Sequence, residues 1–453
     1  MEIAQFLKRL FEDAQAAGFE DAEAFYVQGE SFEASVHEGE IHTYDVSTTI
    51  GLGFRGAFLG KMGYAATQVL DESALKQLIA GAKTNARLIE SSDPICLFAG
   101  SERYPQVSSA GKALSGVSAA RKLEVVLALE KAALKVDARV SKLSDCGIFA
   151  ATGLQRIANT KGLDVCFEDG GAGLYVSPIA RAGEQVNSAM KFVYADNVDH
   201  FDVDALAREA VSEAVDGLGA EPVASGDYPI AFRNDAAAAL LQTFLNVFSG
   251  DAAQKGLSLL KDREGEQIAS ACVTLMDDPL LPGGRSSVPF DAEGVATFEK
   301  AVVTDGKLLT LLHNLNTAAK KGVQTTGNAA RGSYAAKVSV APTNFYLKPG
   351  ACDLDGLLSQ MGEGLLITDV QGLHAGANAI TGDFSLGAKG YLVAGGKLDR
   401  AVAGITVAGN FFDWLKAIEA VGSDLWFGLP GASTVGSPSV LAGKMKVAGA
   451  LTR

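Results

Sequence analysis

Apolar residues recur at helical spacing at the start of the chain. Ile3, Phe6, Leu7, Leu10, Phe11 and Ala14 fall on one face of a 3.6-residue period and predict an amphipathic helix ending near Gly18. From 21 to 67 the pattern turns to β-branched and aromatic residues. Turn-type residues come about every ten positions, at "QGES", "HEGE" and "RGAFLGK", which predicts four or five antiparallel strands. "DESALKQLIAGAKTNARLIE", 71–90, opens with an acidic first turn and is predicted helical. After a Pro/Ser/Gly-bearing stretch from "SSDP" (91–94) to "SSAGKALSG" (108–116), the order repeats. A helix is predicted over 118–137, strands from Val140 to Tyr194, and a helix over 202–219. The repeat is one of element order rather than of residues, so it is compatible with a duplication without requiring one.

"GAEPVASGDYPIAFRND", 219–235, carries the Pro, Gly and Ser of a domain boundary, and a helix is expected to follow over "DAAAALLQTFLNVFS". Beyond 254 short strand patterns alternate with Gly turns, and one helix is expected at 411–422, "FFDWLKAIEAVG". The expected fold is therefore α+β: two N-terminal helix–strands–helix units, then a β-rich C-terminal domain with a few packed helices. The expected domains are 1–100, 101–220 and 221–453. Strands do not alternate regularly with long helices, which disfavours Rossmann and TIM-barrel arrangements.

Composition narrows the function. The chain has 453 residues, 48% hydrophobic and 20% charged, with 51 glycines against 12 prolines, which fits a globular, turn-rich protein. Its net charge is −14, and its densest basic spots are as short as "AAKKG" at 318–322. Direct nucleic-acid binding and membrane-surface binding both need clustered Lys and Arg, so neither is expected. Cys96, Cys146, Cys166, Cys272 and Cys352 are scattered, without a CxxC, as in a reduced compartment. Charges interrupt any signal-peptide pattern in "MEIAQFLKRLFEDAQAAGFE", and no transmembrane span is read, so the expectation is a cytoplasmic protein.

Candidate chemistry is sparse. None of His37, His42, His200, His313 and His374 stands in an HxH, HExxH or His-Cys cluster, and no metal site is read from spacing. His37 and His42 read as a solvated loop pair, and His313 as a packed structural residue. His374 lies in the Gly-rich "QGLHAGANAITGDFS", where backbone can approach a ligand. Asp277 and Asp278 read as a solvated turn before a proline. Neither a GxSxG elbow nor a P-loop is present. Two polar, Gly-flanked loops suit an extended peptide docked by main-chain hydrogen bonds. One is "TTGNAARGSYA", with Thr326, Asn328, Arg331, Ser333 and Tyr334. The other is "NAITGDFSLGAKG", with Thr381, Asp383 and Phe384. Ordinary well-bonded β-turns remain an equal reading of both.

"DDPLLPGGRSSVPFDAEGVAT", "TTGNAARGSYA", "TGDFSLGAKGYLV", "ITVAGNFFDWLKAIEAVGSDLWF" and "GSPSVLAGKMKVAG", taken in order, resemble the TldD/PmbA family of metallopeptidases, also known as modulators of DNA gyrase. "FYVQGESFEASVHEGEI" and "TTIGLGFRGAFLGKMGYAAT" extend the resemblance over nearly the whole chain. The TldD-like branch bears HExxxH on the helix that opens its C-terminal domain, with a Cys near the C-terminus completing the ligands. Aligned on Gly250-Asp251, that motif falls on Leu241 and Asn246 at the His positions and on Gln242 at the Glu position, and 427–440 contains no Cys. Leu has no lone pair, Asn is a weak donor, and Gln cannot take the proton of a metal-bound water.

The resemblance thus implies the PmbA (TldE-like) branch: a chain with no metal and no cofactor of its own. Such a chain would shape the substrate groove beside a zinc-bearing, TldD-like partner that cleaves unfolded or extended peptides. Alone, it could pair with itself. Two alternatives stand beside this reading: a free-standing peptidase using other residues, such as His374 with Asp383, and a regulatory binding protein without peptidase association.

Overall fold

A computed structural model describes residues 1–90, 93–108, 111–431 and 433–449. The first unit consists of α1 (Ile3–Ala16), β1 (Ala22–His37), β2 (Glu40–Phe58), β3 (Lys61–Thr67) and α2 (Glu72–Leu88). The second consists of α3 (Gly111–Ser115), α4 (Ala119–Val136), β4 (Val140–Asn159), β5 (Asp164–Ala182), β6 (Gln185–Ser188), β7 (Lys191–Ala195) and α5 (Val203–Asp216). Ser91, Ser92, Ser109 and Ala110 of the expected linker lie outside the described residues.

The strands of both units join in one antiparallel sheet, ordered β3-β2-β1-β4-β5-β6, with β7 also on β5. The units meet where β1 pairs β4, Glu23 opposite Asn159. Polar side chains cap three of these helices: Asp71 accepts from the Ala74 amide, Ser118 from Arg121 and Asp202 from Ala205. α1 and α2 bury Phe6, Leu10, Leu75 and Leu78 with Phe54 of β2. α4 and α5 bury Val126, Leu129, Leu206 and Val211 with Ile148 and Leu174. Burial of each such side chain contributes roughly 1.5–3 kcal/mol.

The region 21–67 holds three strands rather than four or five. "QGES" is not a turn but the interior of β1, and Gly29 is there because a Cβ would stand 2.8 Å from the Thr152 carbonyl oxygen of β4. Close strand approach, not chain reversal, is what this glycine permits.

The C-terminal region holds two six-stranded sheets. β8 (Gly226–Phe232), inside the expected boundary, is a central strand. It runs parallel to Gly364–Gln371 and antiparallel to Val440–Ala448. Its Pro229 cannot donate to a ladder, and the partner strand shifts register between Ala442 and Lys444 where Pro229 sits opposite Lys444. The expected helix over 235–249 divides into α6 (Asn234–Thr243), a 3₁₀ turn at Leu245–Phe248 and α7 (Gly250–Gln254). The expected helix at 411–422 stops at Ala417, and Ile418–Val421 joins the sheet edge. Further helices lie at Leu315–Lys321, Leu354–Met361 and Leu373–Gly376. The main core gathers Phe232, Leu240, Phe244, Phe248, Phe345 and Phe411, with the Phe244 and Phe411 rings stacked at 4.6 Å. No helix among the described residues is long and apolar enough to cross a membrane.

Candidate functional site

The family resemblance aligns the metal motif with Leu241 and Gln242 on α6 and with Asn246 in the 3₁₀ turn that follows it. Leu241 is buried in the main core. Gln242 and Asn246 are exposed and line a cavity of about 220 Å³ together with Ser249, Leu312 and Pro342. The two amides do not share one continuous helix face, because α6 ends at Thr243 and the chain tightens into the 3₁₀ turn before Asn246. The cavity still brings them onto one wall. Its donors are amide and hydroxyl oxygens, which do not suit zinc, and Leu241 supplies none.

The chain does spell HExxxH once, at His37-Glu38-Gly39-Glu40-Ile41-His42, a match the sequence reading passed over. It is the reversal between β1 and β2, not a helix. Glu38 and Gly39 adopt positive φ, and the two imidazole rings stand 6.1 Å apart. Among the described residues no group of three or more His, Cys, Asp and Glu could hold a metal ion.

The loop 325–335 is where the C-terminal region docks onto the N-terminal sheet. Arg331 donates from Nη2 to Glu23 Oε1 at 3.0 Å and lies 4.6 Å over the Phe25 ring of β1. Glu23 also accepts from Arg55 Nε at 2.8 Å, and Arg55 Nη1 reaches Glu293 Oε1 at 3.2 Å. None of these four side chains is more than 5% exposed. Burial works against the Arg55 charge, but Glu23 and Glu293 outweigh it and raise its pKa. Burial pulls Arg331 down to about 10, with the Arg55 charge adding to the effect.

Tyr334 covers Gly51 and Gly53 of β2. A Cβ on Gly51 would stand 2.2 Å from its ring, and one on Gly53 would stand 1.9 Å from its carbonyl oxygen. Ser333 is exposed, and its carbonyl accepts from the Ala336 amide. Thr326 is buried against His313, accepting from its amide at 2.6 Å. Asn328 donates to Asp277 Oδ2 at 2.7 Å, and its own side-chain oxygen has no hydrogen-bond partner among the described residues.

Asp277 and Asp278 correct the expectation of a solvated turn: both are buried. Asp277 pairs with Lys300 Nζ at 3.0 Å and accepts from the Thr343 amide and hydroxyl at 2.7 and 2.9 Å. A carboxylate with that many donors is a structural anchor.

The second loop lies apart from this seam. His374 is exposed on the short helix Leu373–Gly376 and makes no hydrogen bond or ion pair with Asp383. The Asp383 carboxylate is taken by Thr381 at 2.8 Å and Asn410 at 2.9 Å, which hold it below the usual carboxylate range. Thr381 is exposed, whereas Phe384 is buried 6.2 Å from the Phe244 ring, under the end of α6.

Models of three consecutive domains match the chain: PmbA/TldA metallopeptidase domain 1 over 22–86, the central domain over 112–218 and the C-terminal domain over 225–449. The chain belongs to the PmbA/TldD family. A metalloprotease PmbA homolog of Haemophilus influenzae is 28% identical over 99% of this chain and 96% of its own length. A Thermotoga maritima protein described as a modulator of a DNA gyrase is 32% identical, covering 98% of this chain and 100% of its own, with a TM-score of 0.89. TldE from Thermococcus kodakarensis superposes over 98% of this chain and 100% of its own with a TM-score of 0.90, but at 23% identity it speaks for the fold alone.

Proposed function

We propose that this chain is the metal-free subunit of a two-chain peptidase, shaping the groove that holds an extended peptide for a zinc-bearing, TldD-like partner. The observation that carries the reading is the end of α6. Where the family's metal motif aligns, Leu241 is in the core and Gln242 and Asn246 offer only amides to the cavity wall. An amide can hydrogen-bond a peptide backbone through both its oxygen and its N–H₂ but cannot act as a general base. The cavity at α6 therefore suits positioning rather than bond cleavage.

The free-standing alternative built on His374 and Asp383 loses its footing, because Asp383 is committed to Thr381 and Asn410. Co-expression with a chain bearing HExxxH on its α6-equivalent helix tests the proposal. The two chains are expected to co-purify, with zinc and peptidase activity present only in the mixture. Stoichiometric zinc and full activity in the single chain would overturn it. Stable gyrase binding without any TldD-like partner would favour the regulatory reading instead.

A further inference from the structure

β2 is a strand of two halves. Leu52–Phe58 lies between β1 and β3, whereas Glu40–Ile50 pairs with β1 alone, and all eleven of its residues are exposed. Among the described residues no strand pairs with the outer side of this half. An open edge of that length is a template for another strand, and folded proteins blunt such edges with Lys, Pro or a bulge. Here only a bulge is present, at the hairpin end, where the register on β1 shifts between Ser35 and Val36 and leaves His42 without an opposite residue. From Thr43 to Ile50 the run reads TYDVSTTI. Its Thr, Tyr, Val and Ile favour a strand, and Asp45 is its one charged residue.

The bulge also decides which side chains share a face. Ile41 stands opposite Val36, Tyr44 opposite Ala34 and Val46 opposite Phe32. Opposed residues project from one face, and Phe32, Ala34 and Val36 belong to the core that α4 covers. Strict alternation would turn Ile41 to the other face, and the extra residue returns it to this one. The result is an apolar row of Ile41, Tyr44, Val46 and Ile50 that continues this core toward the open edge, with exposures of 48, 53, 56 and 37%. The Tyr44 ring meets Phe32 edge-on at 5.5 Å and is still more than half exposed.

We propose that this edge is a self-association surface, on which β2 pairs antiparallel with β2 of a second copy about a two-fold axis at Val46. A two-fold axis makes the run its own partner, so the run has to be self-complementary. Centred on Val46, Thr43 opposes Thr49, Tyr44 opposes Thr48 and Asp45 opposes Ser47, and no carboxylate faces another. Centred on Asp45, two carboxylates would meet. Glu33, opposite Asp45 on β1, stands one strand further from the axis. A chain of net charge −14 repels its copy, and a contact run with one charge in eight residues keeps that repulsion small. The register also fits the space: Thr43–Thr49 lies between the His42 bulge and Leu52, where Thr67 of β3 takes the edge. The apolar rows of the two copies then meet side by side across the axis. This surface goes beyond the peptidase reading and does not depend on it.

Sedimentation velocity on the full-length chain from about 1 to 100 μM is expected to show a concentration-dependent dimer. Val46→Lys sets two like charges on the axis and is expected to weaken dimerisation about tenfold or more, with thermal unfolding unchanged because Val46 is exposed. Val46→Cys, facing its copy across the axis, is expected to form an intermolecular disulfide under mild oxidation, assigned by peptide mapping because the five native cysteines are free. Ser47→Cys, on the other face and displaced along the strand, is expected to form none. In hydrogen exchange, the amides of Thr43–Ile50 that point away from β1 are expected to exchange freely in dilute protein and to gain protection as the dimer forms. A chain that stays monomeric through that range, a dimer that survives Val46→Lys, or a cross-link at Ser47→Cys in place of Val46→Cys overturns the proposal. So does protection of Thr43–Ile50 that appears only when a zinc-bearing chain is added, a result that would leave the metal-free-subunit reading standing.

Discussion

The seam between the N-terminal sheet and the C-terminal region and the end of α6 are built in opposite ways. At the seam, Glu23, Arg55, Glu293 and Arg331 give up water for one another. At α6, Gln242 and Asn246 stand uncharged at an open cavity wall. The seam pairs buried charges, whereas the wall at Gln242 and Asn246 offers only uncharged amides. A buried ionic network gives little net stability over a well-packed apolar one, but it fixes register, because any misdocking leaves a charge unpaired. An amide wall has no such demand.

The contrast breaks most visibly at its charged end. Arg55→Met leaves Glu23 and Glu293 buried without their shared cation and is expected to cost about 3–5 kcal/mol in denaturant unfolding. A loss under about 1 kcal/mol would mean that water reaches the seam. Asp277→Ala is expected to cost about 3 kcal/mol by the same logic, since it strands Lys300 Nζ and the donors of Asn328 and Thr343.

A smaller effect sharpens the picture through pH. Burial, then the neighbouring Glu293 charge, push the Asp291 carboxyl up to about 7 against the pull of three backbone N–H donors. A carboxyl whose pKa is raised on folding binds protons more tightly in the folded state. Its stabilising share is therefore full below the unfolded value of about 4 and is lost as pH rises toward 7. The stability of the wild type relative to Asp291→Asn is thus expected to fall between pH 4 and 7. A pH-independent difference would show Asp291 to be ionised throughout.

What was legible in the sequence divides along similar lines. α1, α2, α4 and α5 were readable because a helix-forming run with apolar residues at helical spacing is a local signal. β8 was hidden because Pro229 reads as a breaker, and only the register shift in a strand more than two hundred residues away admits it. The helix expected at 411–422 ran too long because Ile418–Val421 is claimed by pairing with Val440–Ala448. The docking role of Arg331 was not legible, since its partner Glu23 is 308 residues away and ion pairs leave no periodicity. The burial of Asp277 was missed because its neutralising partners, Lys300 and Thr343, come from other strands and loops. The HExxxH string on the β1–β2 turn carries the opposite lesson: spacing without a helix places the two imidazoles across a hairpin, not on a shared face.

The smallest effect on stability is expected at α6 itself. Gln242→Ala and Asn246→Ala remove exposed amides whose side chains have no hydrogen-bond partner among the described residues, so each should shift unfolding by less than about 0.5 kcal/mol. If the cavity holds peptide backbone, the double substitution should nonetheless raise KM of the two-chain peptidase severalfold with kcat and the partner's zinc content unchanged, because uniform binding is lost rather than chemistry. A fall in kcat at unchanged KM would place these amides against the reacting bond instead. Reinstating Leu241→His, Gln242→Glu and Asn246→His together should not restore tight zinc binding in the single chain. The first imidazole would enter the apolar core beside Phe244, and α6 ends before the second could join it on a continuous helix.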